Sequence, residues 1–437
     1  MAAIGRKTDT WGSRFGFIMA AVGSSVGLGN FWRFPYTAGE NGGGAFIVIY
    51  LLCVALVGLP LLMAEYGMGR KSGMSAIEGV ESLARAESKS GNWGIVGWVG
   101  SLTAFFILTF YMVISVWLIA FLMQALTGKF EGMDAAASAS NFTNTIGQGE
   151  NALARKWEIL GLLFLFLCAN VYVVGQGVKG GLERVATILM PAFFVMLLVV
   201  VGFAVTQGDF GKTAAFLFEP KWEDVGFKTF LSALGQAFFS IGVGVGLMIT
   251  YGAYLDSETN IPRSSALIVS ADTMVALIAG FAIFPIVFMA GLDPAGGPGL
   301  FFVSMPGAFG AIPGGTVFAT VFFALALFAA FTSSISLMEV GVSWLEERQG
   351  VTRFGAAMGV GFVLWMIGAA YVFSLEYLDF VDFMTEGLLL PLGGLLVAIF
   401  AGWILSRNML TSELGEGSVM NVWRFLIRWF VPPFVAF

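Results

Sequence analysis

Arg33, Glu65, Asp272, Glu339 and Asp382 each lie inside a stretch otherwise apolar enough to cross a bilayer. A charge at that depth costs ~2.5 kcal/mol or more on insertion scales, so it marks a cavity, a pair or a bound ion. Asp272 sits in Ser270-Ala271-Asp272-Thr273, midway along its stretch, with no lysine or arginine in the same stretch. A lone carboxylate there needs a cation. A hard ion such as Na⁺, satisfied by oxygen atoms, is the economical partner, and a protonated acid is the alternative. Glu65, in Met63-Ala64-Glu65-Tyr66, can accept hydrogen bonds from N–H groups released by an unwound neighbour. The hydroxyls of Thr332-Ser333-Ser334 can complete a cation site or bond back to their own helix. Glu339 suggests no role. The chain has no histidine, which removes His-based proton relays, the usual Ser-His and Cys-His nucleophile pairs and most zinc sites. A Ser-Lys nucleophile would need a lysine within the membrane, which is lacking too, so an enzyme is not expected. Cys53 and Cys168 sit in separate apolar runs and read as small buried hydrophobes.

The backbone that must hold these groups is itself unusual. Two apolar segments are broken near their middle by glycines, at Gly23-Ser24-Ser25-Val26-Gly27-Leu28-Gly29-Asn30 and at Ser240-Ile241-Gly242-Val243-Gly244-Val245-Gly246. A helix broken inside a bilayer leaves N–H and C=O groups bare, which is tolerated only against protein or a polar cavity, and an ion or solute can complete them. Gly23 with Gly27, and Gly242 with Gly246, also spell GxxxG, a motif of close helix packing. The polar neighbours favour a site: Ser24, Ser25, Asn30 and Arg33 beside the first break, Gln236 and Ser240 beside the second.

With 437 residues, 58% hydrophobic and only 11% charged, the chain reads as an all-α polytopic membrane protein. Windows of ~20 apolar residues give about eleven transmembrane helices, at 15–37, 43–68, 94–126, 159–178, 185–205, 230–255, 266–292, 317–345, 355–373 and 380–405, with a last one opening at Phe425. The broken spans are the first and the sixth, which are corresponding places in a 5+5 inverted repeat with both unwound at mid-membrane. The expected organisation is a cytoplasmic segment 1–14, a first repeat 15–205, an outer loop 206–229, a second repeat 230–405, and a cytoplasmic loop with the start of span 11 at 406–437. With the N-terminus inside, fifteen Lys and Arg residues fall on the inner side and six on the outer, which sets a cytoplasmic N-terminus in the cell (inner) membrane. The net charge of −6 argues against a nucleic-acid partner and leaves the lipid bilayer as the expected surroundings. The Gly- and Pro-rich stretch 293–315 looks like an outer hairpin able to move as a lid. An ion channel or ion-gated pore is the competing reading, but single acids on separate spans do not make the ring of charge a pore uses.

Gly27-Leu28-Gly29-Asn30-Phe31-Trp32-Arg33-Phe34-Pro35, followed by Glu40-Asn41-Gly42-Gly43-Gly44-Ala45-Phe46, resembles the signature of the neurotransmitter:sodium symporters. The likeness runs from Trp11 almost to the C-terminus and is nearest to bacterial members that carry several hydrophobic amino acids. It implies two Na⁺ sites. One would use the carbonyls of Ser25 and Ser240, the side chains of Asn30, Ser240 and Asp272, and the substrate carboxylate. The other would use the carbonyls of Gly23, Val26 and Ala329 and the hydroxyls of Thr332 and Ser333. It places the substrate between them, with its carboxylate at the N–H groups of Leu28 and Gly29 and the Tyr111 hydroxyl, where the positive end of a half-helix favours an anion. Its ammonium would face carbonyls at the breaks, Ser25 among them, and Phe239 and Ser240. Its side chain would lie among Ile107, Tyr111, Phe239, Gly242, Val245, Ser333 and Leu337. Gly242 and Val245 stand where a leucine-carrying relative has serine and phenylalanine, which implies a roomier pocket open to Trp, Tyr, Phe and Leu. Asp272 replaces a common asparagine, and its fixed charge implies independence from chloride. The outer gate implied is Arg33 with Asp382, and Phe34 and Tyr111 above the substrate. The inner gate implied is Glu347 with Tyr254 and a basic partner, Arg6 or Lys7, because Thr8 stands where the arginine is expected. Gly181 and Pro191 match a pair that lets span 5 unwind at its inner start.

Overall fold

The computed structural model describes residues 9–295, 297 and 299–436. Arg6, Lys7 and Thr8 lie outside the described residues. Among the described residues eight helices are long and apolar enough to cross a membrane, nine when the bent pair Arg14–Ser25 and Gly29–Glu40 counts as one span. In chain order that pair is span 1, and Gly44–Ser72, Gly91–Leu126, Ala152–Gly175 and Val178–Gln207 are spans 2 to 5. Span 6 is again split, into Phe227–Ile241 and Leu247–Ala253. Ile261–Met289, Gly315–Gln349, Arg353–Phe373 and Leu375–Ile404 are spans 7 to 10. A final helical run occupies 418–436 in three joined stretches and contains Phe425, where the eleventh span was expected to open.

Local chemistry sets several of these ends. Ser13, Asn260 and Thr352 cap spans 1, 7 and 9 through side-chain oxygens that accept the N–H groups of Gly16, Arg263 and Gly355. The two breaks differ in kind. In span 1 the α-helix stops at Ser25, Val26 turns extended, and the chain re-enters through a wide turn of π-helix at Gly29–Arg33, bending the span by 47°. In span 6 the helix ends at Gly242, and Gly242, Gly244 and Gly246 have φ of 72°, 82° and 68°, a region that side-chain-bearing residues avoid.

Spans 3 and 8 pack along their length, as do spans 4 and 9, while the second half of span 6 lies on span 2. The first half of span 1 rests on spans 5 and 8. The broken spans are thereby surrounded by unbroken ones. The start of span 5 is wound, as π-helix at Val178–Glu183 running into Arg184–Gln207 with Pro191 inside it. The stretch expected to be a lid forms the helix Leu300–Gly310, fastened by aromatic contacts: Phe301 lies 6.0 Å from Phe31 and 4.8 Å from Phe322, and Phe302 lies 5.9 Å from Trp32. Cys53 is buried as expected, but Cys168 faces outward from span 4.

Candidate functional site

Asn30, Ser240 and Asp272 meet where the two breaks face span 7. The Asn30 amide Nδ2 donates to Asp272 Oδ1 at 2.7 Å, to the Asp272 carbonyl at 3.0 Å and to Ser240 Oγ at 2.9 Å, and Ser240 Oγ donates to Asp272 Oδ2 at 2.7 Å. All three residues are buried. The break itself supports the cluster, because Gly27 N–H donates to Asn30 Oδ1 at 3.0 Å and Gln236 Nε2 donates to the Gly29 carbonyl at 2.8 Å. Ser25 Oγ donates across to the Ile241 carbonyl at 3.1 Å, tying the first break to the second.

A second oxygen cluster joins spans 1 and 8. Ser333 Oγ lies 3.3 Å from the Gly23 carbonyl and 3.5 Å from that of Val26, while Thr332 Oγ1 donates to the Ala329 carbonyl at 3.1 Å. Among the described residues no group of three or more His, Cys, Asp or Glu could hold a metal ion. The donors available are carbonyls, hydroxyls, one amide and one carboxylate, a set that suits a hard, weakly charged cation and not a transition metal.

Between the clusters lies a cavity lined by Ser25, Leu28, Gly29, Ile107, Tyr111, Phe239, Gly242, Val245, Ser333 and Leu337. All were expected. Ser24, Gly27, Leu247 and Leu390 also line it and were not. Ser240 is absent from the lining, because its hydroxyl is turned into the polar cluster with Asp272. At the polar end Leu28 N–H donates to Tyr111 Oη at 3.3 Å. A Cβ on Gly27 would sit 2.6 Å from Ser333 Oγ and 2.9 Å from Tyr111 Oη, so any larger residue would push these two hydroxyls out of their places at the cavity.

Glu65 acts as a backbone cap. Its Oε1 accepts from Gly244 N–H at 2.6 Å, replacing the helical partner that the second break removed.

The side chains expected at the two gates are paired differently in the structure. Arg33 forms its ion pair with Glu386 and not Asp382, and its guanidinium lies 4.8 Å over the Phe239 ring. Asp382 and Glu386 are one helical turn apart, and Asp382 contributes only its charge nearby. A π-helical turn at Thr385–Leu389 sets which of the two reaches inward. Phe34 does not cover the cavity, since the π-turn before it directs its ring into span 2, 5.1 Å from Tyr50. Phe239 lines the cavity instead, beneath the Arg33 guanidinium.

At the opposite end Tyr254 donates to Glu339, which pairs with Arg353 at the start of span 9. Asp9 lies 3.7 Å from the same guanidinium. Glu339 therefore has a partner that no sequence pattern announced, fourteen residues on and beyond a helix end. Glu347 instead accepts Ser75 N–H at 2.8 Å, so it caps the short helix Ala76–Ala86 and is apart from Tyr254. The N-terminal segment is fastened over this end: Gly12 N–H and Ser13 Oγ donate to Glu183 at 2.6 and 2.9 Å, and Trp11 Nε1 donates to the Tyr251 carbonyl at 3.2 Å.

Comparison with known proteins agrees with this geometry. The model of the sodium:neurotransmitter symporter family matches residues 8–152 and 139–435. A Bacillus subtilis (strain 168) protein described as the uncharacterized sodium-dependent transporter YhdH is 34% identical, covering 98% of this chain and 96% of its own length. A Haemophilus influenzae sodium-dependent transporter is 31% identical over 99% and 97% of the two chains. The crystal structure of MhsT in complex with L-phenylalanine is 35% identical, with a TM-score of 0.89 over 98% of both chains. With the broken spans, the buried oxygen clusters and the cavity between them in place, these matches establish that the chain is a multi-pass membrane protein of the sodium:neurotransmitter symporter family, a sodium-coupled transporter and not an enzyme.

Proposed function

We propose that this transporter imports hydrophobic and aromatic L-amino acids with two Na⁺ ions by alternating access, and that it needs no chloride. The observation that carries the reading is Asp272. Its carboxylate, the Asn30 amide and the Ser240 hydroxyl form a buried polar cluster that adjoins a cavity whose remaining wall is mainly apolar. One Na⁺ would be held by Asn30, Ser240, Asp272 and the Ser25 carbonyl, the other by the carbonyls of Gly23, Val26 and Ala329 with Thr332 and Ser333. The substrate carboxylate would meet Leu28 and Gly29 N–H, the Tyr111 hydroxyl and the first Na⁺. Each then completes the other's coordination, so each raises the other's affinity by the same factor. Both ligands are cargo, and net uptake follows when both leave toward the inner side.

The apolar side-chain end, with Gly242 and Val245 in its wall, favours breadth, because an apolar pocket discriminates by only ~1–3 kcal/mol per methylene. MhsT was crystallised with L-phenylalanine, which fits a pocket of that character. Arg33–Glu386 over Phe239 would serve as the outer gate, and Tyr254–Glu339–Arg353 with the N-terminal segment as the inner one. A cytoplasmic N-terminus in the cell (inner) membrane accords with the basic residues, and the repeats 15–205 and 230–405 would move about the site.

The test is uptake of radiolabelled tryptophan, phenylalanine and leucine into proteoliposomes, with Na⁺ exchanged for K⁺ and Cl⁻ for gluconate. Uptake should vanish without Na⁺ and be unchanged without Cl⁻. A chloride requirement would overturn the role given to Asp272.

A further inference from the structure

Outside the transport pathway, spans 3, 8 and 9 and the short helix Ala76–Ala86 enclose a second cavity of ≈ 260 Å³. Span 3 contributes Ser101 and span 8 Trp344, six or seven residues from Ile107 and Leu337 of the central cavity, hence roughly 10 Å along each helix at ~1.5 Å per residue. The walls are apolar and buried, with Ile77, Val340 and Val360 at their base. The rim is open to the outside of the bundle, since Trp98, Leu102 and Val363 are each more than 40% exposed. A Cβ placed on Gly359, also at the rim, would meet nothing within 4 Å.

Two groups in this apolar space are unpaired. Ser101 Oγ and Trp344 Nε1 are both buried, and neither has a hydrogen-bond partner among the described residues. A buried indole N–H ordinarily finds an acceptor, and one left bare is costly. Trp344 is also held in place, edge to face with Trp98 at 5.1 Å. A single water needs roughly 10–15 Å³ in this measure, so the space is an order of magnitude larger than one water requires, and apolar walls of this kind stay dry or take apolar guests. The rim opens at the edge of the hydrocarbon, where water is sparse and lipid is the abundant source of acceptors. The occupant must therefore combine an apolar body with a hydrogen-bond acceptor. Its depth is fixed by sequence: Trp344 is followed directly by Leu345 and then the charged Glu346, Glu347 and Arg348, and Trp93 and Trp98 flank the start of span 3. Tryptophans beside a charged end mark the boundary between headgroups and chains, which is where the ester carbonyls of glycerolipids lie.

We propose that this cavity binds one diacyl glycerolipid, with an acyl chain filling the space and its ester carbonyl accepting hydrogen bonds from Trp344 Nε1–H and Ser101 Oγ–H. The lipid would fasten spans 3, 8 and 9 together on the side remote from the substrate.

The experiment is native mass spectrometry of the purified full chain titrated with palmitoyl-oleoyl phosphatidylglycerol and, separately, with the diether analogue that has the same chains and headgroup but no carbonyl. The tightest lipid should bind about tenfold more strongly as the diester, because only it can pair the two buried donors. Trp344→Phe should shrink the diester preference and Trp344→Phe with Ser101→Ala should abolish it, and Gly359→Leu, which fills the cavity, should weaken both lipids about tenfold. Leu102→Trp plugs the rim and replaces Gly359→Leu should that variant not fold. Equal binding of diester and diether by the unaltered protein would show that water or nothing meets these donors and would overturn the proposal. Unchanged binding in a folded plugged variant would overturn it as well.

Discussion

The two broken spans do the same topological job with different materials. In span 1 the break is a stretch of ordinary backbone conformations with polar side chains around it, Ser25 bonding to the Ile241 carbonyl and Asn30 to Asp272. In span 6 the break is made of conformations only glycine takes easily, and its freed N–H is met by a carboxylate from elsewhere, Glu65. Span 10 presses directly on it: a Cβ on Gly244 would lie 2.8 Å from Gly394 N and 2.9 Å from the Leu390 carbonyl. The first break is thus specified by its chemistry and the second by its shape. Substitutions at the first should cost ligand binding, and those at the second should cost the fold.

The largest contrast is between two glycine substitutions. Gly244→Ala combines a left-handed conformation, worth ~1–3 kcal/mol, with a backbone collision that no side-chain movement relieves. It should yield no thermostable, monodisperse protein. Gly27→Ala meets only the hydroxyl ends of Ser333 and Tyr111, which can turn aside. That variant should fold, melt within a few degrees of the unaltered protein, and bind no amino acid. Comparable melting of the two variants would erase the distinction between the breaks.

Next in size is the pair of buried carboxylates. Asp272→Ala strips the partner from the Asn30 and Ser240 donors and from the proposed ion, and losses of ~2–5 kcal/mol are usual for one member of a buried charged pair. The expected result is a rise of about thirtyfold or more in the Na⁺ concentration that half-saturates phenylalanine binding. Glu65→Ala leaves Gly244 N–H bare and should cost ~1–3 kcal/mol of stability, while Glu65→Gln keeps an acceptor and most of that stability. Thermal unfolding in the presence and absence of Na⁺ separates the two effects: the Asp272 variant should lose the Na⁺-dependent shift, and the Glu65 variants should keep it. A Glu65→Gln protein as unstable as Glu65→Ala would mean that charge, and not an acceptor, closes the second break.

The same contrast explains what was legible in sequence. Glycines with polar neighbours inside apolar runs announce a break, because no alternative pays for bare backbone in a bilayer. The residues around the first break follow from type: serine, asparagine and a lone aspartate are wanted only where something hydrophilic is held. Glu65 is readable for the complementary reason, since a carboxylate inside an apolar run is a ready acceptor for the N–H groups a broken neighbour leaves bare. What sequence did not disclose is helical register. Glu386 shares its span with Asp382, and nothing in composition singles it out, since the π-turn at Thr385–Leu389 leaves no trace there. Phe34 was misplaced by the π-turn at Gly29–Arg33 in the same way. Glu339 remained silent because its cation, Arg353, belongs to the next helix.

The smallest effect tests that register. Arg33 and Glu386 retain side-chain exposures of 16% and 22%, so solvent discounts their pairing, and a partly exposed ion pair contributes ~1 kcal/mol or less. What the pair adds to closure should therefore appear in kinetics: Glu386→Gln should speed dissociation of bound phenylalanine several-fold with Na⁺ saturation little changed, because the guanidinium that covers Phe239 loses its anchor. Asp382→Asn should alter dissociation by less than twofold if the π-turn places Glu386 and not Asp382 against Arg33. Should the larger effect fall on Asp382, the turn is absent from the state that retains substrate, and span 10 changes its winding as the gate closes.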